Sequence, residues 1–278
     1  MTMHVAAVIP VFNRPDDLRV LLADLASIET SGVRLTRIVV DNASDPPIGV
    51  DSGVDSGVEL VRLPTNTGGS GGFNAGMCRA VEMDDVEAIW LLDRDVRVPR
   101  GTLTALMATM AEGHDVVGAV LCDPATGTPY EFGGRLDRTW GHYASITSSD
   151  GPDRPDYIAA CCLLVRRDLM ERVGGLPDLF LNCDDVAWGV RARRLGASLA
   201  VATEARVDHP PGLFPGGARY YQSRNGVIPI DVAGLGGCVR GRRALLEIGR
   251  AFGLVLMGRD DLARAHADGL RDAARRLV

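Results

Sequence analysis

Short continuous apolar runs alternate along this chain with stretches whose apolar positions recur at helical spacing. Residues 4–12 (HVAAVIPVF) show the first pattern, that of a strand buried on both faces in a parallel sheet. Asn13 and Pro15 suit a helix start, and the spacing predicts a helix from Leu18 to about Ile28 with leucines along one face. The same alternation continues. Strands are predicted over 35–44, 58–64 and 87–98, a helix from about Asn74 after a glycine-rich loop, and another from Pro99 to about Met110. Residues 45–57 read as a turn-rich loop. Such alternation predicts an α/β fold whose central, mainly parallel sheet is flanked by helices. Ligands on open sheets of this kind bind at the carboxyl ends of the strands. Asp41, Asn66 and the pair Asp93/Asp95 fall at such ends and are expected to converge.

The second half is less regular. Further strands are predicted over 116–123, 158–167 and 197–210, the last ending at His209. A helix from about Val186 to Leu195 follows Asp184 and Asp185, and the tail from about Leu235 is helical. With no internal repeat and no convincing linker, the economical division is a main domain over 1–230 and a helical extension over 231–278 packed on it. Residues 245–258 (LLEIGRAFGLVLMG) read first as an amphipathic helix facing the core and second as a peripheral membrane-surface contact.

Composition narrows the chemistry. The 278 residues are 46% hydrophobic and 24% charged, ordinary for a globular chain. All 30 basic residues are arginine, which removes Walker loops, Schiff bases and lysine-assisted phosphatases. A net charge of −6 argues against nucleic acid as a partner. The six cysteines form no CxxC pair, so neither zinc nor a disulfide framework is indicated and a reducing cytoplasm fits. No signal-like segment opens the chain, and no apolar run approaches the ~20 residues of a membrane span.

Several groups could carry chemistry. The carboxylates of LLDRDV, at i and i+2 on a strand, would point the same way and could hold a divalent cation against diphosphate oxygens, or stand solvated in a surface turn. The same DxD in a phosphatase of the haloacid-dehalogenase type would need a first-strand position and a lysine, and has neither. Asp184 and Asp185 could simply favour a helix start, or act as a general base beside the apolar Phe180 and Trp188. His209 could be structural or a third metal ligand. Trp140 and Trp188 could lie in the core or stack on a sugar, and Arg224 could meet a diphosphate or a surface carboxylate. The stretch 66–76 (NTGGSGGFNAG) lacks the Gly-Lys-Ser/Thr of a Walker loop and the spacing of a dinucleotide loop. Its glycines would let the backbone pass close under a nucleoside.

Taken in order, VIPVFNRPDDL, VVDNAS, NTGGSGGFNAG, WLLDRDV, FLNCDDVAWGVRARRLG, VDHP and YYQSRN resemble the family 2 inverting glycosyltransferases with the GT-A fold. The branch they most resemble contains actinobacterial galactofuranosyltransferases and rhamnosyltransferase-like enzymes. The resemblance implies a hexosyltransferase that uses a UDP-sugar, with UDP-galactofuranose as the first guess. A dTDP-rhamnose-dependent enzyme and a non-catalytic nucleotide-sugar-binding protein are the alternatives. Phe12, Arg14, Asp41 and Asn66 would line the nucleoside pocket, with Asp41 reading the base. Gly69, Gly72 and Asn74 would lie beneath nucleoside and donor sugar. Asp93, Asp95 and His209 would hold Mn²⁺ or Mg²⁺, and Arg224 the diphosphate. Asp185 would be the catalytic base, with Asp184 orienting the acceptor hydroxyl. Glu131, Trp140 and Trp188 would touch the donor sugar or the acceptor. The acceptor would be a cell-wall or lipid-linked glycan or a small natural product, and homo-oligomer formation stays open.

Three features depart from the galactofuranosyltransferase pattern. Arg94 occupies the middle of an otherwise all-aspartate triplet, where it could salt-bridge outward or reach the nucleotide. Ala159-Ala160-Cys161-Cys162 stands in place of a tryptophan-bearing acceptor wall, and Gln222 in place of a histidine. The chain also lacks the added N-terminal β domain of the polymerases, so transfer of a single sugar is expected.

Overall fold

The computed structural model describes residues 2–49, 57–148, 154–211 and 216–276. Residues 50–56 of the expected turn-rich loop lie outside the described residues. The chain opens with β1 (Met3–Val11), α1 (Pro15–Ala26), β2 (Val33–Asp41), β3 (Val58–Arg62) and α2 (Gly68–Val81). Next come β4 (Ala88–Leu92), α3 (Thr102–Ala111), β5 (Val116–Cys122) and three short strands, β6 (Pro129–Glu131), β7 (Gly134–Leu136) and β8 (Tyr143–Ser145). Then follow β9 (Cys162–Arg166), α4 (Arg167–Val173), α5 (Asp184–Arg194) and β10 (Leu199–Asp208). Four helices complete the described residues: α6 (Gly216–Asn225), α7 (Ile228–Val232), α8 (Gly237–Leu256) and α9 (Asp260–Arg276).

The main sheet has 8 strands in the order β10-β5-β9-β4-β1-β2-β3, with β6 beside β5, while β7 and β8 pair separately. Pairs β1–β2, β1–β4, β2–β3 and β5–β10 are parallel. β9 runs antiparallel between β4 and β5, in register Leu92↔Cys162 through Ala88↔Arg166. The excursion through β6, β7 and β8 brings the chain back to the carboxyl end of β4, so β9 must start there and run the other way. That places residues 159–161 directly beside the end of β4, and the Asp93 amide donates to the Cys161 carbonyl at 3.0 Å.

The alternation along β1 divides the core. Val5, Ala7 and Ile9 pack with Leu18 and Leu21 of α1 and Leu103 and Leu106 of α3. Ala6 and Val8 face Phe73 and Met77 of α2, Leu169 of α4 and Trp188 of α5. Each fully buried leucine or phenylalanine contributes about 1.5–3 kcal/mol of transfer free energy, which is why the continuous apolar runs become the central strands.

Three expectations change. The glycine stretch is the first turns of α2 rather than a loop preceding it. A Cβ on Gly76 would stand 2.2 Å from Val8 Cγ1, and one on Gly72 2.8 Å from Pro10 Cβ. Glycine is thus needed for the helix to ride close on β1. Second, β4 ends at Leu92, so Asp93 and Asp95 sit in the turn beyond the strand. Third, most of the apolar stripe of residues 245–258 does not face the core, and Leu254 alone of its large side chains is buried, against Leu262 and Ala263 of α9. Leu245, Ile248, Phe252, Val255, Leu256 and Met257 are exposed, whereas Arg243 and Glu247 of α8 are buried. Among the described residues, no helix is long and apolar enough to cross a membrane.

Candidate active site

A cleft of about 430 Å³ opens where the carboxyl ends of β4 and β5 meet the start of α5, and its lining includes Gly69, Asp93, Glu131, Asp184, Asp185 and His209. Asp93 and Asp95 enter from the turn after β4, and His209 follows the last residue of β10. Ligand atoms of these three residues all lie within 4.8 Å of one another. His209 Nε2 stands 3.7 Å from Asp93 Oδ2 and 3.9 Å from Asp95 Oδ1. Tyr130 of β6 orients the ring, because its hydroxyl donates to the His209 carbonyl at 3.2 Å and its oxygen lies 3.1 Å from His209 Nδ1. When the hydroxyl proton is on the carbonyl, Nδ1–H donates to the tyrosine oxygen; the neutral ring then leaves its Nε2 lone pair for a cation between the carboxylates, whereas the protonated ring turns an N–H toward Asp93. Burial lowers the imidazole pKa, but the hydrogen bond and charge of Asp93, with the charges of Asp95 and Glu131, raise it on balance.

Asp184 and Asp185 form the first turn of α5. The chain reaches them through Phe180, Asn182 and Cys183, all left-handed at φ 66°, 65° and 68°. Side chains brace this unfavourable approach. The buried Asn225 amide donates to the carbonyls of Leu179, Leu181 and Asn182 at 2.8–3.1 Å. Arg224 donates to the Leu179 carbonyl at 2.7 Å, with its guanidinium 4.7 Å from the centre of the Tyr221 ring. Asp185 accepts from the Val186 amide at 2.7 Å and from the Ala160 amide at 3.4 Å. The residues preceding β9 therefore touch both Asp93 and Asp185. Burial holds both carboxyls above the usual aspartate range, and the Asp185 charge raises Asp184 further. Glu131 is pushed to about 7, by burial first, while the Ser145 hydroxyl donating at 2.5 Å and the His209 charge hold it down and the Asp185 charge adds to the rise.

Other expected site residues stand apart from this cleft. Phe12, 40% exposed, and Arg14 lie just beyond β1, and Asn66 precedes α2, where its Oδ1 accepts from the Gly68 amide at 2.9 Å. Asp41 is 0% exposed, and its carboxylate accepts from the Ser44 and Ile48 amides at 2.8 and 3.0 Å and from Arg62. The group expected to read a base thus organises the loop after β2. Asn74 exchanges two hydrogen bonds with the Leu176 backbone, tying α2 to the loop after α4. Trp188, 2% exposed, donates Nε1–H to the Gly174 carbonyl at 2.7 Å and is a core residue. Trp140 is exposed under Arg242, 5.9 Å from its guanidinium carbon. Arg224 braces the approach to α5 through the Leu179 carbonyl. Arg94 lies 3.8 Å from Asp17 of α1 and 3.7 Å from Asp95, beyond hydrogen-bonding reach of both.

Tyr130, Asn225, Arg62 and Asn42 also shape the site without a motif of their own to mark them. The Asn42 amide donates to the Gly68 carbonyl at 2.8 Å and accepts from the Thr67 amide at 2.9 Å, joining β2 to the glycine turn. Asn42 and Asn225 both lie in segments singled out for other residues. Tyr130 had only its place among the polar and aromatic residues between two strands to mark it.

Comparison with known proteins agrees with this architecture. Residues 6–174 match the glycosyl transferase family 2 profile. Galactofuranosyltransferase GlfT1 of Mycobacterium tuberculosis is 29% identical over 224 residues, covering 76% of this chain and 72% of that protein. Galactofuranosyltransferase GlfT2 of Mycolicibacterium smegmatis is 27% identical over 237 residues, 74% of this chain, and the match spans only 37% of the longer relative. Among solved structures, GalNAc-T7 with UDP, GalNAc and Mn²⁺ superposes with a TM-score of 0.67 at 13% identity, covering 82% of this chain and 48% of that one. The chain belongs to glycosyl transferase family 2 and is a glycosyltransferase built on the GT-A fold.

Proposed function

We propose that this glycosyltransferase is metal-dependent and inverting, and that it moves a single sugar from a UDP-sugar, first of all UDP-galactofuranose, to an acceptor hydroxyl. The observation that carries the reading is the meeting in one cleft of Asp93 and His209 with the acidic pair Asp184–Asp185. The galactofuranosyltransferase relatives support the choice of sugar.

Asp93, Asp95 and His209 fit a Mn²⁺ or Mg²⁺ ion: two carboxylates and a neutral imidazole, with Tyr130 turning the Nε2 lone pair toward the carboxylates. When bound, such an ion supplies positive charge against the donor diphosphate. The remaining work falls to the chain itself. Phe12, Arg14 and Asn66 offer exposed groups to the nucleoside, while Asp41 and Arg62 hold the loop beside them. Gly69 leaves room for the donor at the start of α2, and Glu131, carrying a proton for part of the time near neutral pH, faces a sugar hydroxyl. Asp185 takes the proton of the acceptor hydroxyl at Oδ2 or Oδ1 as that oxygen attacks the anomeric carbon, the bond from that carbon to the diphosphate oxygen breaks, and the nucleotide diphosphate leaves with the electron pair, while Asp184 orients the incoming group. One displacement with no covalent sugar–protein intermediate inverts the anomeric configuration.

A thermal-shift panel of UDP- and dTDP-sugars with and without Mn²⁺ tests the reading, since selective binding stabilises the fold by about 2.7 kcal/mol at 100 times Kd. UDP-galactofuranose with Mn²⁺ is expected to give the largest rise, and Asp93→Asn to abolish its Mn²⁺ dependence. A larger response to dTDP-rhamnose moves the donor to that sugar. No response to any nucleotide sugar overturns the proposal.

A further inference from the structure

The turn after β4 holds a cation against the carboxylates proposed to bind metal. Asp93 to Val96 form a turn closed by the Val96 amide, which donates to the Asp93 carbonyl at 3.3 Å. Both of its ends are fixed. The Asp93 amide donates to the Cys161 carbonyl, Val96 is fully buried, and Arg97 exchanges backbone hydrogen bonds of 2.9 and 3.2 Å with Asp208, the residue before His209. Arg94 is therefore anchored beside the cluster of Asp93, Asp95 and His209. The oxygens of Asp95 face different neighbours: Oδ1 lies 3.9 Å from His209 Nε2, and Oδ2 lies 3.7 Å from the Arg94 guanidinium. Arg94 also lies 3.8 Å from Asp17, and its Nε is buried without a hydrogen-bond partner. At these distances the guanidinium, always charged, acts on the cluster through its charge and not through a hydrogen bond.

We propose, resting on the metal and donor assigned to this cleft, that Arg94 sets how the site fills. It lowers the affinity of the Asp93–Asp95–His209 cluster for a free divalent ion and raises that of the cleft for a nucleotide diphosphate, so the ion arrives with the nucleotide rather than ahead of it. An ion among the three ligands is repelled by the guanidinium behind Asp95, whereas a diphosphate is attracted by it. The attraction matters because Asp93, Glu131, Asp184 and Asp185 line the cleft and no described residue lining it is an arginine. A diphosphate without its cation otherwise faces a wall of carboxylates. For ion and diphosphate entering together the two effects oppose and largely cancel. An aspartate in this position, as in an all-aspartate triplet, reverses both signs: it holds the free ion more tightly and repels the nucleotide. One unit of charge a few ångströms from the site changes either affinity by about fivefold.

Isothermal titration calorimetry at low ionic strength tests this without turnover, with Mn²⁺ titrated into the nucleotide-free protein and UDP titrated in the presence of a chelator. Arg94→Gln is expected to tighten Mn²⁺ about fivefold and to weaken UDP about fivefold, and Arg94→Asp to extend both changes in the same directions. Arg94→Lys keeps the charge and should keep both affinities within about twofold. A loss of structure lowers both affinities together, so changes of opposite sign report the charge itself, and equal melting temperatures show that the variants fold. Unchanged affinity of Arg94→Gln for either ligand, or Mn²⁺ and UDP moving in the same direction, overturns the role of Arg94 while leaving the metal and donor assignments standing. Failure of the unmodified chain to bind Mn²⁺ or UDP, even with both present, overturns those assignments and this role with them.

Discussion

Adjacent glycines at the head of α2 should respond to alanine in opposite directions. Gly68 has φ +74°, and a Cβ there would lie 2.0 Å from the Phe180 carbonyl oxygen and 2.6 Å from Phe180 Cα. Both are backbone atoms, so no side-chain rotation can relieve the collision. A left-handed alanine costs about 1–2 kcal/mol, and forcing the neighbouring chain aside costs about 1–3 kcal/mol more. Gly68→Ala should therefore lose about 3 kcal/mol, a fall of about 6–12 °C in Tm for a domain of this size. Gly69 is helical, and the only atom near its prospective Cβ is the Phe180 carbonyl oxygen at 3.9 Å. Alanine there removes unfolded-state freedom and should contribute about 0.5–1 kcal/mol, a rise of about 1–4 °C. Calorimetric or circular-dichroism melting of the ligand-free protein separates the two. Because Phe180 opens the left-handed approach to Asp184, Gly68→Ala should also lower turnover at temperatures where it is folded. A Gly68→Ala variant that melts with the unmodified chain, or two variants that fall together, would refute the packing argument.

Four further outcomes are expected. Asp185→Asn should lower kcat about 10²–10⁴-fold while keeping the nucleotide-induced thermal shift, and unchanged turnover would remove Asp185 as the base. Burial raises the folded-state pKa of Glu131 to about 7, so the ligand-free protein should lose stability as pH rises from the ordinary glutamate range through about 7. Glu131→Gln should then raise Tm at about pH 8 and leave it unchanged at about pH 4, where both forms are neutral. Burial raises Glu247, but His266, Arg243 and Arg250 outweigh it and lower its pKa, so this cluster contributes stability that is lost as pH falls through the folded value. Glu247→Gln strands the buried Arg243 charge and should cost about 3–5 kcal/mol, read by urea denaturation and by faster amide exchange in α8 and α9. Trp188→Phe leaves the Gly174 carbonyl unpaired and should cost about 1–3 kcal/mol, with KM for the donor unchanged; a raised KM would return the indole to the site.

The residues legible in advance were those whose position follows from topology. A parallel strand delivers its last residues to the binding edge whatever its neighbours are, so Asp93, Asp95 and His209 could be expected to meet from their places at the ends of two predicted strands. The acidic pair at the start of α5 joined them because β9 reverses direction and carries Ala160 to Asp185 and Cys161 to Asp93. That reversal depends on pairing between distant segments, which no local period encodes. Asp41, Asn74, Trp188 and Arg224 were harder for a different reason. Each is of a type that serves ligands and backbone equally well, and the backbone partners observed lie remote in the chain for some, as Leu176 for Asn74 and Leu179 for Arg224, and a few residues on for Asp41, as Ser44 and Ile48.

The tail shows the limit of periodicity most directly. A 3.6-residue repeat divides α8 into an apolar stripe and a charged stripe, but it does not say which one turns inward. Burial of the apolar side would ordinarily decide. Here the decision lies with three groups on two helices, Arg243, Glu247 and His266, whose mutual pairing makes the charged side the one that packs. Buried ion pairs of this kind often do no better than apolar residues of the same volume, so stability of the isolated chain gives no reason for the inversion.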